Sequence, residues 1–237
     1  MSDLLEVAAI QAKHGGTLQP KKEPFLFKLV VIGARKVGKT ALIKKFVDGE
    51  FPVSNPTTQE ERFRRSITLE NQKYILEITD TGSENTWKDE TIKGAHGFLL
   101  VYDLCKKSTF EKIAELHDKI HKADAAAGNL SSTQPHPTPP AVFVVGNKLD
   151  RTDEREVSTE DGSKEAERLG CKFREVTGKT NVEWVFLAVV KLGVQRAIKR
   201  RELSSSSRDM GVTSEGGTDS WLASLALCLG IDSTVKQ

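Results

Sequence analysis

Strands alternating with amphipathic helices predict an α/β fold for this 237-residue chain: a mostly parallel six-stranded sheet with one antiparallel edge strand and helices on both faces. Three observations carry that expectation. Continuous apolar runs at 25–32, 98–102 and 141–145 suit strands buried on both faces. Helical periods occupy 40–47, 158–169 and 182–201. A pair of segments at 62–69 and 74–80 reads as a hairpin, which supplies the antiparallel edge.

Taken in order, residues 1–24 are a polar, flexible N-terminal extension that ends at Pro20-Lys21-Lys22-Glu23-Pro24. Phe25, Leu26, Phe27, Leu29, Val30, Val31 and Ile32 make the first strand. The helix at 40–47 is apolar at 42, 43, 46 and 47. Pro52, Asn55 and Pro56 mark 49–62 as an irregular loop, and Glu70-Asn71-Gln72 turns the hairpin. A helix over 108–126 is opened by the capping-box pattern Ser108-x-x-Glu111. Residues 127–140, with four prolines, are a Pro/Ser-rich insertion: a tolerated surface loop, or a proline-rich ligand for a partner. A short strand follows at 172–176. The last helix is apolar at 182, 185, 186, 189, 190, 194 and 198. The folded domain is therefore drawn at 25–202, and 203–237 is a Ser/Gly-rich tail with an apolar segment at 221–231.

A net charge of +2 gives no case for bulk-charge binding, so no nucleic acid is expected as a partner. Cys105, Cys171 and Cys228 show no C-x-x-C spacing, which favours neither a zinc site nor a disulfide framework. Cys105 and Cys171 read as small apolar fillers in a reducing compartment. The stretch 4–10 is interrupted by Glu6 and lacks a basic lead, so no signal peptide is read. A cytoplasmic protein is expected.

Gly33-Ala34-Arg35-Lys36-Val37-Gly38-Lys39-Thr40 spells G-x-x-x-x-G-K-T between the first strand and the first helix. On average glycine usage such a string arises by chance in roughly one chain of this length in a hundred, and the strand–loop–helix setting lifts it above a mere glycine turn. Backbone N–H groups of this loop cradle phosphate oxygens and the helix N-terminus adds partial positive charge. Lys39 reaches the β/γ phosphates and the Thr40 hydroxyl ligates Mg²⁺. Asn147-Lys148-Leu149-Asp150 directly follows the strand at 141–145. A carboxylate there accepts from both N1–H and N2–H₂ of guanine, a donor pair adenine lacks. The glycine loop, Asp80 and Asn147 all fall at strand C-terminal ends, where ligands bind in such sheets. A P-loop kinase or other ATPase is disfavoured by these base-reading residues.

With those motifs in series, residues 25 to about 200 resemble a small GTPase of the Ras superfamily, on the Ras-like branch and divergent. The resemblance implies a P-loop NTPase G domain that binds GTP or GDP with Mg²⁺. It makes Phe51 the aromatic beside the guanine and Asp80 a water-mediated Mg²⁺ partner. Thr177-Gly178-Lys179 becomes the last base-contacting motif, with the Gly178 N–H at the guanine O6. Pro56-Thr57-Thr58 should hold the threonine that binds Mg²⁺ and senses the γ-phosphate. Spacing favours Thr58, while the Pro-Thr dipeptide favours Thr57. The implied nucleotide contacts are thus Gly33 through Ala41 (Gly33, Ala34, Arg35, Lys36, Val37, Gly38, Lys39, Thr40, Ala41), then Phe51, Thr58, Asp80, Ser83, Asn147, Lys148, Asp150, Thr177, Gly178 and Lys179. Thr40, Thr58 and Asp80 serve the metal, while Glu84, Thr58 and Lys39 serve hydrolysis.

Departures from the family pattern fall where hydrolysis is carried out. Arg35 and Lys36 stand where the family usually has glycines, so side chains crowd the γ-phosphate and an activator's arginine. Where the family usually reads D-T-A-G-Q, this chain has Asp80-Thr81-Gly82-Ser83-Glu84. Glu84 can accept from the attacking water but offers no donor to the transition-state oxygens, and it adds repulsive charge. A slow or impaired GTPase is expected, with a pseudo-GTPase scaffold as the alternative. Against both stands the option that Arg35 or Lys36 places positive charge on the γ-phosphate.

The resemblance further implies a monomer that binds effector proteins through 49–65 and 81–93 in the GTP state, together with an exchange factor and a GTPase-activating protein. The end, Asp232-Ser233-Thr234-Val235-Lys236-Gln237, carries no prenylation motif, and Met1-Ser2 gives no myristoylation signal. Arg196, Lys199, Arg200 and Arg201 with the 221–231 segment and Cys228 would give peripheral membrane contact; otherwise they are a solvated helix end and a docking or tail helix.

Overall fold

In a computed structural model, the described residues are 23–52, 60–82, 89–92, 94–128, 140–178 and 180–208. Six strands form one sheet: β1 (Phe25–Gly33), β2 (Glu61–Leu69), β3 (Gln72–Asp80), β4 (Gly97–Asp103), β5 (Val142–Asn147) and β6 (Lys172–Glu175), ordered β2-β3-β1-β4-β5-β6. The β2–β3 pair is antiparallel and lies at one edge, and every other pairing is parallel. The hairpin turns at Glu70 and Asn71, whose φ values of 48° and 63° are those that a two-residue type I′ turn requires. Gln72 belongs to β3 rather than to the turn.

The helices are α1 (Lys39–Asp48), α2 (Asp89–Ile92), α3 (Lys107–Phe110), α4 (Ile113–Gly128), α5 (Thr159–Arg168) and α6 (Val182–Arg208), with a 3₁₀ turn at Thr152–Glu154. Successive strand residues point to opposite faces, and here both faces are covered. Leu29, Val31, Leu99, Val101, Phe143 and Val145 pack with Ile43 and Phe46 of α1 and Phe186 and Val189 of α6. Their neighbours Val30, Ile32, Leu100, Tyr102, Val142 and Val144 pack with Ile113, Leu116 and Ile120 of α4 and Ala166 of α5. Burial on both faces is why these strands read as unbroken apolar runs.

Phe46 and Phe186 stack with ring centroids 4.2 Å apart, which fastens α1 to α6. The Arg65 guanidinium lies 4.2 Å over Phe46, donates to the Phe46 carbonyl and pairs with Glu183. Phe46→Ala should therefore cost about 3–5 kcal/mol of stability, read as a lower urea midpoint. A loss below about 1 kcal/mol would contradict this packing role.

Two helix ends also differ from the sequence expectation. The helix expected over 108–126 is two helices, and no side chain caps α3 at Lys106. It starts at Lys107, so Ser108 already lies inside it and the Ser108–Glu111 box does not form. The Lys107 N–H instead donates to Glu156 at 2.6 Å, and the Thr109 hydroxyl donates to the Lys106 carbonyl at 2.7 Å. Helix α6 also continues to Arg208, past the boundary drawn at 202. Glu and Leu are good helix formers and serine costs little, so no breaker stops it there. Ser158 caps α5, accepting from the Asp161 N–H at 3.0 Å. No helix among the described residues is long and apolar enough to cross a membrane. The extension 1–22, residues 129–139 of the insertion and the tail from 209 lie outside the described residues.

Candidate functional site

Gly33, Asp80 and Asn147 end β1, β3 and β5, so three parallel strands deliver their last residues to one edge of the sheet. The loop 34–38 closes under two close contacts. A Cβ on Gly33 would sit 2.1 Å from the Val101 carbonyl oxygen. One on Gly38, whose φ is 96°, would sit 2.4 Å from Asn147 Nδ2. Val37 is fully buried beneath the loop and Ala41 is buried in the first turn of α1. Lys39 is only 4% exposed, and its ammonium donates to the carbonyls of Gly33 at 2.9 Å and Ala34 at 3.0 Å. Helix α1 has no side-chain cap at Gly38 and no acidic residue in its first turn. That leaves its positive end facing the loop, as an anion site needs.

Beside it the Thr40 hydroxyl donates to Asp80 Oδ2, while Asp80 Oδ1 accepts from the Gly82 N–H at 3.2 Å. Asp80 is fully buried, and Thr81 fixes the strand end through its hydroxyl on the Val31 carbonyl at 3.0 Å. A hydroxyl and a carboxylate brought together offer only hard oxygen donors, a set that fits Mg²⁺.

Asn147 joins the two halves of the site. Its Nδ2 donates to the Val37 carbonyl at 2.8 Å, and its Oδ1 is buried with no partner among the described residues. An orphaned acceptor of this kind fits a ligand donor beside the loop. Lys148 turns the chain at a φ of 69° and pairs with Asp103 at 2.6 Å. The Leu149 N–H donates to the Val176 carbonyl at 3.1 Å, which joins the 147–150 turn to the 176–178 loop. Asp150 is exposed at the rim. Thr177 closes its own turn with Thr180, whose N–H donates to the Thr177 hydroxyl at 3.0 Å. Phe51 lies across Gly178: a Cβ there would come within 1.9 Å of the ring.

Sequence reasoning missed two supports of this rim. Asp103, 6% exposed, holds Lys148 and accepts from the Cys105 N–H at 3.0 Å. Its signal was an acid immediately after a wholly apolar strand. Arg155 clamps Glu175 through two 2.8 Å bonds and ties the 151–157 segment to the end of β6. Cys105 and Cys171 are free thiols, and burial pushes Cys171 up to about 11.

The structure thus gathers Gly33, Ala34, Val37, Gly38, Lys39, Thr40, Asp80, Asn147, Lys148, Asp150, Thr177, Gly178 and Phe51 at one edge. Thr57, Thr58, Ser83, Glu84 and Lys179 lie outside the described residues. Arg35 and Lys36 are exposed on the loop, and Lys36 has a φ of 66°, in the left-handed region that favours glycine. Lys36→Gly should consequently raise stability by about 1 kcal/mol, roughly 2–4 °C in Tm. A lower Tm in a thermal melt would contradict that strain.

The mostly parallel sheet, the loop before α1 and the paired base-edge turns define a guanine-nucleotide-binding P-loop domain. Residues 28–195 match the Ras family. The chain is 36% identical over 180 residues to Protein ras-2 of Neurospora crassa, covering 70% of this chain and 78% of the relative. It is 35% identical to Ras-like protein 1 of Pyricularia oryzae, covering 77% and 78%. With Ras-like protein rasZ of Dictyostelium discoideum it shares 31% identity, over 78% and 81%. The chain belongs to the Ras family, the small GTPases that bind GTP and GDP with Mg²⁺.

Proposed function

We propose that this Ras-type switch grips guanine nucleotide fully and hydrolyses GTP slowly, signalling through effectors while GTP is bound. The observation that carries the grip is the constellation at the sheet edge: buried Lys39 over the loop carbonyls, Thr40 on Asp80, and an Asn147 Oδ1 without a partner among the described residues. In this reading Lys39 and the α1 N-terminus take the phosphates, Asn147 and Asp150 take the base, and Phe51 flanks it. Lys148, Thr177, Gly178 and Lys179 complete the base pocket. Thr40 and Asp80, with Thr58, would hold Mg²⁺, which supplies charge neutralisation at the phosphates when bound.

The slow step follows from residue chemistry. Glu84 would orient water by accepting a hydrogen bond but cannot donate to the developing charge. Arg35 and Lys36 crowd the place where an activator's arginine would enter, and that arginine is worth roughly 10³ to 10⁵ in rate. Effectors would read residues 49–65 and 81–93. An exchange factor and a GTPase-activating protein are the expected regulators. The protein would act in the cytoplasm, with peripheral membrane contact through its C-terminal tail.

A pseudo-GTPase scaffold is the second reading, favoured by the same exposed Arg35 and Lys36. Single-turnover GTP hydrolysis of the wild type beside Arg35→Gly, Lys36→Gly and Glu84→Gln tests the account. The revertants should approach the unassisted Ras rate of about 10⁻⁴ s⁻¹ from a slower wild type. A wild type faster than its revertants would mean that the basic side chains assist hydrolysis instead.

A further inference from the structure

Helix α4 carries His117 and His121 one turn apart, so both imidazoles leave the same face. Their Nε2 atoms converge to 3.1 Å, with ring centroids 4.2 Å apart. An ion at the ordinary distance of about 2.0–2.1 Å from both nitrogens would see them at roughly 100°, between square-planar and tetrahedral angles. His117 is 8% exposed, whereas His121 is partly exposed, which leaves the pair an open side. The buried Nδ1 of His117 lies 3.8 Å from Asp118 Oδ1. At that distance the carboxylate makes no hydrogen bond, so it favours a proton on Nδ1 by charge alone and leaves the lone pair on Nε2.

We propose that His117 and His121 form a two-imidazole chelate for a divalent transition ion of the copper, nickel or zinc class, separate from the nucleotide site. Imidazole nitrogens suit these borderline ions and not Mg²⁺, which takes hard oxygen donors. No group of three or more metal-ligating side chains occurs among the described residues. The ion therefore takes two protein ligands and completes its shell with water. Around the two histidines, Asp124 pairs with Arg196 of α6, and Glu165 of α5 pairs with Arg168, so the neighbouring charges balance one another.

The metal-free explanation of the same spacing is a single N–H···N hydrogen bond between the rings. Cu²⁺ titration of the full chain, loaded with GDP and excess Mg²⁺, decides between them. Pulsed electron paramagnetic resonance would count coordinated imidazoles, and calorimetry would follow affinity. The chain's remaining histidines, His14, His96 and His136, are present in every sample. The expected result is a site with two equivalent imidazoles in the wild type, weakened about tenfold or more in both His121→Ala and His121→Gln. His121 is partly exposed, and an unchanged melt in chelator checks that each variant folds. Wild-type affinity in both variants, or no two-imidazole signal in the wild type, overturns the proposal.

Discussion

Asp150→Asn is expected to lower affinity for GTP and GDP by roughly 10⁴-fold while improving binding of xanthine nucleotides. A carboxylate accepts from both donors on the guanine edge. A carboxamide offers one acceptor and turns its other group, a donor, against a donor. The turn that presents Asp150 is held by the 2.6 Å Lys148–Asp103 pair and by the Leu149 N–H on the Val176 carbonyl at 3.1 Å. The backbone that carries Asp150 is therefore held in place on both sides of the turn. Competition binding with guanine and xanthine nucleotides measures the effect. An unchanged guanine preference would remove the 147–150 motif from base reading.

Lys39→Ala carries the next largest expected effect. The ammonium is buried and bridges the Gly33 and Ala34 carbonyls, so its loss removes charge from the phosphate site and strips two carbonyls of a donor. Nucleotide affinity should fall by about 2–5 kcal/mol, a factor of roughly 30 to 5,000, through faster release. Stopped-flow release of a fluorescent nucleotide gives the rate, and a melt of the nucleotide-free protein separates binding from folding. A variant that releases nucleotide at the wild-type rate would contradict the proposed role of Lys39.

The sheet was legible because burial on both faces writes itself into sequence. Leu29 and Val30 face opposite cores, as do Leu99 and Leu100, so no polar alternation interrupts the runs. Asp80 and Asn147 were readable for a similar reason, since a polar residue at the end of a buried run marks a strand terminus. Pairings between distant residues were not legible. Asn147 meets the Val37 carbonyl across 110 positions, and Lys148 meets Asp103 across 45. The break between α3 and α4 was hidden likewise, because the partner of the Lys107 N–H, Glu156, lies 49 residues away and replaces the local cap. The left-handed backbone of Lys36 was not legible in the lysine itself; its one sign was the glycine that the family usually has at that place.

The proposed guanine-nucleotide switch has a slow off step. Denaturing freshly purified protein and identifying the released nucleotide by chromatography tests it most directly. The prediction is guanine nucleotide with GTP as the main species. GDP alone would show that turnover outpaces loading and contradict the impaired off step, while adenine nucleotide would contradict the base-reading site itself.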